Sequence, residues 1–434
     1  MSTNTKNGVD AVKHRRDFLK FSGAALAASS LPSMPATAQT GPVRIGVLAS
    51  RSGVLASIGE CALTTVQWWA ERVNQGGGIL GRKVELVVEE EGNAKDTAER
   101  FRKLALRDNV EMITGLISTG NGLSIGPIAE ELKTVWMSWD ATTQKDVTET
   151  LPDPKYAFRS TDNEVEGLMA SLLTVKHFKG KIKTVANLGT DYSYGRNMWD
   201  TFMAMMKKYD MNVAPVADLW VKVGTTDLTS FVASLQQAKP DLIMSSLLFT
   251  DTFIFMKQAH AAGLTKNSKL VMPAAGFQLN ELKKEYTPEG MILGHNSMYF
   301  DPPNASPLLK EFVKFYRDKT KLFPHFEAER AYSAAESWKQ GVEKAAKQNG
   351  GKWPSKEAVA KALEGLTIDS LGGYFSWRPD HIPDCNYYMG FTTHKNPYDI
   401  VTIDPVVTLD TRDYQKPSGA DFYKWIEEKN FKML

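Results

Sequence analysis

Residues 43–49 read VRIGVLA, a short and mostly apolar run that predicts a buried β-strand. Apolar residues then recur at helical spacing from Leu63 to Val73, and the pattern stops at Gly76-Gly77-Gly78. Residues 84–88 read VELVV and predict a second strand. A strand, a helix and a strand in this order form a βαβ unit, which is the building block of a parallel sheet. The start of this pattern therefore predicts an α/β fold.

The alternation of strands and helices continues in two series. The first ends with a strand at residues 134–137, and the second follows Pro152-Asp153-Pro154 and runs from a helix at 163–178 to a strand at 270–273. Two such series predict two doubly wound, Rossmann-like lobes joined by a multi-strand hinge. We expect lobe 1 to contain 41–160 and 291–375, and lobe 2 to contain 161–290 and 376–400. Residues 401–434 are expected to form a C-terminal extension on the lobes, and the last 60 residues to form irregular strands.

The first 38 residues differ in character from the rest. They contain Arg15-Arg16, an Ala- and Gly-rich apolar run at 21–28 and the small residues Ala36-Thr37-Ala38, the order that an export signal requires. This segment resembles a twin-arginine signal peptide, although His14 stands where Ser or Thr is usual. We therefore predict an exported, periplasmic protein. No stretch after the signal is apolar enough to span a bilayer.

Composition and motifs argue against several function classes. The segment 1–38 holds five of the 52 basic and two of the 50 acidic residues, so 47 basic and 48 acidic residues remain, and no basic surplus is left to attract nucleic acid. No spacing typical of a metal site or of a hydrolase nucleophile occurs. Gly120 to Gly126 resembles a dinucleotide-binding turn, but its third glycine comes one residue late. We therefore expect no metal, no cofactor and no enzymatic activity.

Cys61 and Cys385 are the two cysteines of the chain. One disulfide bridge in an oxidising compartment and two buried free thiols are both compatible with them.

Candidate ligand-binding residues follow the predicted strands of both lobes. Because the carboxyl ends of parallel strands line the crevice of such folds, these residues are expected to face one cleft. Successive backbone N–H groups near Ser118 and Thr119, at the start of a predicted helix, would also suit a carboxylate. The candidates are Ser118, Thr119, Trp139, Asp140, Ala141 and Thr142 in lobe 1, with Tyr194 and Phe249 in lobe 2.

At these residues the chain resembles the extracytoplasmic solute-binding proteins of ABC importers, in the branched-chain amino acid and amide class that includes Leu/Ile/Val-binding proteins. The resemblance covers residues 43–391. It rests on a series of short sequence markers, whose order and spacing are more specific than any one of them. The markers are Arg44-Ile45-Gly46-Val47, Ser52-Gly53, Asn74 to Gly81, Lys83 to Val88, Gly115 to Thr119, Asp140 to Thr142, Tyr194-Gly195 and Ala259 to Leu264. It implies the type I periplasmic binding fold.

The resemblance also implies roles for individual residues. Thr119, Asp140 through its backbone, and Thr142 would hold a ligand carboxylate, while Tyr194 and Phe249 or Leu248 would cover the ligand. The acidic residue that pairs with a ligand ammonium in amino acid binders falls on Ala274, which puts an α-amino acid in doubt, because a buried ammonium needs a partner.

Two further departures from the family pattern leave alternatives open. Trp139 replaces the usual Pro and could stack on an aromatic ligand or simply pack. Asp140 replaces a small residue, and it would repel a ligand carboxylate unless it points away or meets a cation. Asp140 could also take over the role of ammonium partner.

The predicted function is a solute-binding component that binds an amino acid, amide or aromatic acid between its lobes and delivers it to membrane permease subunits, and that is itself a monomer. A ligand-sensing receptor domain and an exported enzyme on the same fold are the alternatives.

Overall fold

Two β-sheets flanked by helices form the body of the protein. The structure, a computed structural model, describes residues 41–140, 150–160 and 163–434. The predicted signal peptide at 1–38 lies outside these ranges, as do the candidate ligand residues Ala141 and Thr142. The described residues all belong to one compact unit.

The first sheet is parallel throughout and has the strand order β2-β1-β3-β4-β5. Its first strand is the VRIGVLA segment, and six of the seven residues of that strand are buried. The strands are β1 (Val43–Ala49), β2 (Val84–Glu90), β3 (Met112–Gly115), β4 (Val135–Ser138) and β5 (Ala157–Arg159), and the helices between them are α1 (Ala56–Gln75), α2 (Ala94–Leu106) and α3 (Thr119–Glu131).

The second sheet repeats this topology. Its parallel part has the order β7-β6-β8-β9-β10, which corresponds strand by strand to the order of the first sheet. The strands are β6 (Thr184–Thr190), β7 (Ala214–Val221), β8 (Leu242–Ser245), β9 (Lys269–Met272) and β10 (Ile292–Asn296). The helices are α4 (Asn163–Phe178), α5 (Ser193–Lys208), α6 (Thr229–Ala238) and α7 (Phe249–Ala261). The prediction of two doubly wound lobes is confirmed.

After β10 the chain returns to the first sheet through α8 (Pro307–Thr320), α9 (Glu327–Gln348) and α10 (Lys356–Leu363). Ser306 caps α8 by accepting a hydrogen bond from Leu309 N, and Pro307 follows at the first helical position. Helix α9 packs along α1, where Trp69 donates a hydrogen bond of 2.8 Å to Glu336. Helix α9 therefore packs against the helical layer of the first sheet.

The strands on either side of these helices differ from the expectation. Strand β10 was expected in lobe 1 but pairs in parallel with β9 of the second sheet. Strands β11 (Thr367–Ser370) and β12 (Gly373–Trp377) also join the second sheet, through β13 (Pro383–Thr393). Strand pairing is a contact between distant parts of the chain, and local periodicity does not reveal it.

The last 60 residues are more regular than expected. Strand β13 pairs antiparallel with β14 (Thr402–Asp410) over most of its length, and α11 (Phe422–Glu428) packs on α5. Tyr423 in α11 donates a hydrogen bond of 3.0 Å to Asn197 in α5. The C-terminal segment is thus tied to the second lobe by regular strands and a helix rather than by irregular ones.

The sequence left open a disulfide bridge and two buried free thiols. In the structure Cys61 and Cys385 are both buried free thiols. Burial raises the pKa of the Cys61 thiol to about 12, which keeps the thiol protonated and unreactive. Within the part of the chain that the structure describes, no helix is long and apolar enough to cross a bilayer.

Candidate functional site

A small enclosed cavity of about 30 Å³ lies where the two lobes meet. Eight of its thirteen described lining residues lie within four residues after the end of a strand, and Asn296 ends β10, so the carboxyl ends of both parallel sheets face it, as the fold predicts. Ile117, Thr119, Asp140, Phe326 and Arg330 line it from lobe 1, and Glu166, Tyr192, Tyr194, Leu248, Phe249, Ala274, Phe277 and Asn296 line it from lobe 2.

The lobes touch each other across this cavity. The hydroxyls of Thr119, in lobe 1, and Tyr192, in lobe 2, share a hydrogen bond of 3.1 Å. This contact and the small volume of the cavity show that the lobes are closed on each other.

Four of the eight candidate residues meet at the cavity, namely Thr119, Asp140, Tyr194 and Phe249. Ala141 and Thr142 lie outside the described residues. Ser118 and Trp139 do not line the cavity. Trp139 is fully buried in the core of the molecule, which corresponds to the packing alternative rather than to stacking on a ligand.

The N-terminus of α3 holds a carboxylate that belongs to the protein itself. Glu91 accepts hydrogen bonds from the backbone N–H groups of Ile117 and Ser118 and from the side chains of Ser50 and Asn121. Backbone N–H groups at a helix N-terminus do favour an anion, as the sequence suggested. In this chain Glu91 takes up the two N–H groups just before the helix, and the backbone N–H of Ser118 is directed at Glu91 and not at the cavity.

Asp140 meets a cation, which is one of the possibilities raised by the sequence. Arg330, in the first turn of α9, lies 2.8 Å from the Asp140 carboxylate and 3.3 Å from the Glu327 carboxylate. Arg330 is only 1% exposed. Burial alone would lower the pKa of Arg330, but the two carboxylates raise it, so its guanidinium is firmly charged. The sequence reasoning missed Arg330 because α9 lies far along the chain from the other candidates.

A second buried carboxylate, Glu166 on α4, lines the lobe 2 side of the cavity and is 2% exposed. Its Oε2 atom accepts a hydrogen bond of 3.1 Å from the Tyr194 hydroxyl. Burial raises the pKa of Glu166 to about 7, although Arg330 and Tyr194 act in the opposite direction. Sequence reasoning missed it as well, but a signal existed, since Glu166 stands in the first turn of an otherwise largely apolar helix.

Aromatic rings form much of the remaining wall. The five rings belong to Tyr192, Tyr194, Phe249, Phe277 and Phe326. The ring centroids of Phe277 and Phe326 are 4.1 Å apart, although these residues come from different lobes. Phe249 has a φ of 53°, which is a strained backbone conformation for a bulky residue and is typical of functional sites. An apolar, ring-lined cavity with a few buried charges is suited to a small organic molecule.

Three comparisons with known proteins agree with this architecture. A family model described as periplasmic binding protein matches residues 42–393. Leu/Ile/Val-binding protein homolog 3 of Brucella melitensis is 24% identical over 345 residues, which cover 79% of this chain and 89% of the relative. Leu/Ile/Val-binding protein homolog 7 of Brucella suis is 24% identical over 321 residues, covering 70% of this chain and 76% of the relative.

Solved structures share the fold. A solute-binding protein of an ABC transporter from Rhodopseudomonas palustris, in complex with 3,4-dihydroxybenzoic acid, has a TM-score of 0.72 and 22% identity, covering 85% of this chain and 97% of that chain. A leucine-binding protein from Thermotoga maritima has a TM-score of 0.66 and 18% identity, covering 84% and 98%. The relatives are binding proteins, which agrees with the expectation that this chain is not an enzyme. The chain belongs to the periplasmic binding protein family.

Proposed function

We propose that the protein is the extracytoplasmic solute-binding component of an ABC importer and that it binds an amino acid, amide or aromatic acid between its lobes. The observation that carries this proposal is the cavity itself, in which five rings and the charged side chains of Asp140, Glu166 and Arg330 from both lobes surround one enclosed space. The names of the relatives support it, since they include Leu/Ile/Val-binding homologues and a structure in complex with an aromatic acid.

The proposed mechanism is closure of the lobes around the ligand, without covalent chemistry. A ligand that contacts both lobes at once binds the closed state better than the open state and so shifts the population towards it. The cavity of about 30 Å³ must enlarge to admit a benzoate or a leucine, so opening of the lobes precedes binding. The closed form would then dock on the permease subunits. We further propose export by the twin-arginine signal in 1–38 and a monomeric state.

A thermal-shift screen of the mature chain tests this function. Amino acids, aromatic acids, amides and dicarboxylates are added one at a time, and a ligand that binds only the folded protein raises the melting temperature. A ligand present at 100 times its Kd adds about 2.7 kcal/mol to the free energy of unfolding, and this raises the melting temperature by a readily measured amount. The proposal fails if no compound of the screen stabilises the protein.

Thr119→Ala should weaken binding of the ligand found by that screen by about fivefold, because it removes one hydrogen bond worth about 1 kcal/mol from the cavity wall. Isothermal titration calorimetry measures the change. Thr229→Ala is the matched control, since Thr229 also begins a helix but is exposed and does not line the cavity. Equal Kd values for the Thr119 variant and the unaltered protein would place the ligand elsewhere.

Tyr192→Phe should shift the equilibrium of the ligand-free protein towards open forms by about fivefold, because it removes the hydroxyl that bonds Thr119 across the lobes. Single-molecule energy transfer between dyes on the two lobes measures the populations. Tyr423→Phe is the control. It removes a hydroxyl that bonds within lobe 2 and should leave the populations of the open and closed forms unchanged. Unchanged populations in the Tyr192 variant would show that this hydrogen bond does not control closure.

A further inference from the structure

The positive charge in the cavity is already balanced. Among the described lining residues three carry formal charges, namely Asp140, Glu166 and Arg330. The Nη1 atom of Arg330 is paired with Asp140 at 2.8 Å and with Glu327 at 3.3 Å, while its Nε atom has no hydrogen-bond partner among the described residues. A ligand carboxylate that reached this Nε atom would add another negative charge close to Asp140 and Glu327, and in a buried site such repulsion is weakly screened.

Glu166, in contrast, keeps an acceptor available. Its Oε2 atom accepts the Tyr194 hydroxyl, while its Oε1 atom is buried and has no hydrogen-bond partner among the described residues. The Asn296 side-chain amide, also on the cavity wall, makes no hydrogen bond of good geometry, although it lies near enough to Glu166 to lower the pKa of that carboxyl. Buried polar atoms in folded proteins are normally satisfied, so the free Glu166 oxygen points to a ligand group that donates a hydrogen bond.

The surroundings of Glu166 suit a cation. Ala274, the position on which the resemblance places the family's ammonium partner, lines the same cavity and offers no charge. The rings of Tyr192, Phe249 and Phe277 line this lobe as well, and the faces of aromatic rings attract ammonium groups. A carboxylate with one free oxygen next to several rings is a combination that recognises a protonated amine.

We infer that the ligand carries a protonated amine and that Glu166, on α4, is its counter-ion, in place of the acidic residue missing at Ala274. The inference rests on the proposed function and names the ligand class of the same cavity. Zwitterionic amino acids and simple amines with an apolar body both belong to this class, while acids without an amine do not.

The pH dependence of binding follows from the groups around Glu166. They are Tyr192 and Tyr194 near the start of α5, Asp140 after β4 and Arg330 on α9, while Ala274 and Asn296, which follow or end β9 and β10, do not titrate. Because the pKa of Glu166 in the ligand-free protein is raised to about 7, the carboxylate takes up a proton as the pH falls below that value. An amine ligand should then bind up to about tenfold more weakly per pH unit. An acid without an amine should show the opposite trend.

Matched probes separate these cases. L-Phenylalanine, 2-phenylethylamine and 3-phenylpropanoate share a ring and a short chain, and leucine, 3-methylbutylamine and 4-methylpentanoate form the aliphatic equivalent. We expect at least one amine-bearing probe of a trio to bind the mature full-length chain at pH 8 more than tenfold tighter than the acid of that trio. The inference is overturned if an acid, or benzoate, binds as tightly as the amine-bearing probes. Failure of every probe also overturns the inference, and the proposed function fails with it only if no compound of the thermal-shift screen stabilises the protein.

Glu166→Gln tests the residue itself. The variant should bind the amine-bearing probe more than tenfold more weakly and lose the pH dependence between 6 and 8. Glu164→Gln is the matched control, because Glu164 is a buried carboxylate on the same helix that bonds Asn197 and does not line the cavity, and this variant should stay within twofold of the unaltered protein. An unchanged affinity in the Glu166 variant would overturn the assignment. The pH profile of the unaltered protein tests it without any variant.

Discussion

Arg330→Met is expected to destabilise the protein by about 3–5 kcal/mol, the cost of removing one partner from a buried ion pair. Arg330 is 1% exposed and contacts the carboxylates of Asp140 and Glu327. Methionine fills a similar volume but provides no charge, so two carboxylates remain in the interior without a cation. Equilibrium unfolding in urea at pH 8 measures the loss.

The sign of the pH effect gives a second check on this prediction. Burial already raises the folded-state pKa of Glu327 to about 8, and without Arg330 this pKa should rise further above that in the unfolded chain. Acids with raised folded-state pKa values destabilise the fold above the unfolded pKa, and the penalty disappears as the pH falls towards it. The deficit of the variant should therefore be smaller at pH 5 than at pH 8.

Arg412→Met provides the control for Arg330→Met. Arg412 pairs with Asp410, but its side chain is 53% exposed, and exposed pairs contribute about 0–1 kcal/mol. If the Arg330 variant loses no more free energy of unfolding than the Arg412 variant, the buried ion pair has no structural role. Asp140→Asn combined with Arg330→Met should recover part of the stability, because it removes one of the stranded charges.

Gly195→Ala is expected to destabilise lobe 2 by about 1–3 kcal/mol and to abolish ligand binding. A Cβ atom at Gly195 would lie 1.9 Å from the backbone oxygen of Thr190, at the end of β6. Because the neighbour is backbone, the start of α5 must move away from the strand. Tyr192 and Tyr194, which lie beside this glycine, would move with it out of the cavity wall.

Gly59→Ala should have the same effect on stability in lobe 1, since its Cβ atom would lie 1.8 Å from the backbone oxygen of Ser50. Gly120→Ala is the control for both. No atom lies within 4 Å of a Cβ added at Gly120. Alanine within a helix stabilises the fold by about 0.5–1 kcal/mol relative to glycine, so this variant should not lose stability. Thermal unfolding measures stability, and calorimetry with the ligand from the screen measures binding. Normal binding by the Gly195 variant would show that the position of α5 does not matter.

Glu91 links the charge distribution of the site to the inferred ligand. It accepts hydrogen bonds from the backbone N–H groups of Ile117 and Ser118, just before α3, which could otherwise donate to a ligand carboxylate. The charge of Arg330 is balanced by Asp140 and Glu327, although its Nε atom has no partner among the described residues. Glu166 in lobe 2 keeps one carboxylate oxygen free. The cavity is therefore better matched to a ligand with a positive group than to a simple acid.

Local sequence patterns predicted most elements within a few residues. The helix at 163–178 has the predicted bounds, and Phe249, Thr119 and Tyr194 were found because residues after parallel strands share one edge. Helix α3 begins at Thr119, although its first turn is Gly-rich and polar and lacks apolar periodicity. Asn121 in that turn bonds Glu91, a contact with a distant residue.

The sequence by itself determined the α/β class, the two successive lobes and the family, because these follow from periodicity and from the order of short motifs along the chain. Only the tertiary structure decided which charges meet in the cavity. Arg330 and Asp140 are 190 positions apart, and Glu166 lies on a helix whose pattern identifies the helix but not what faces it. Contacts between elements distant in the chain depend on how the lobes pack, and local patterns carry no record of that packing.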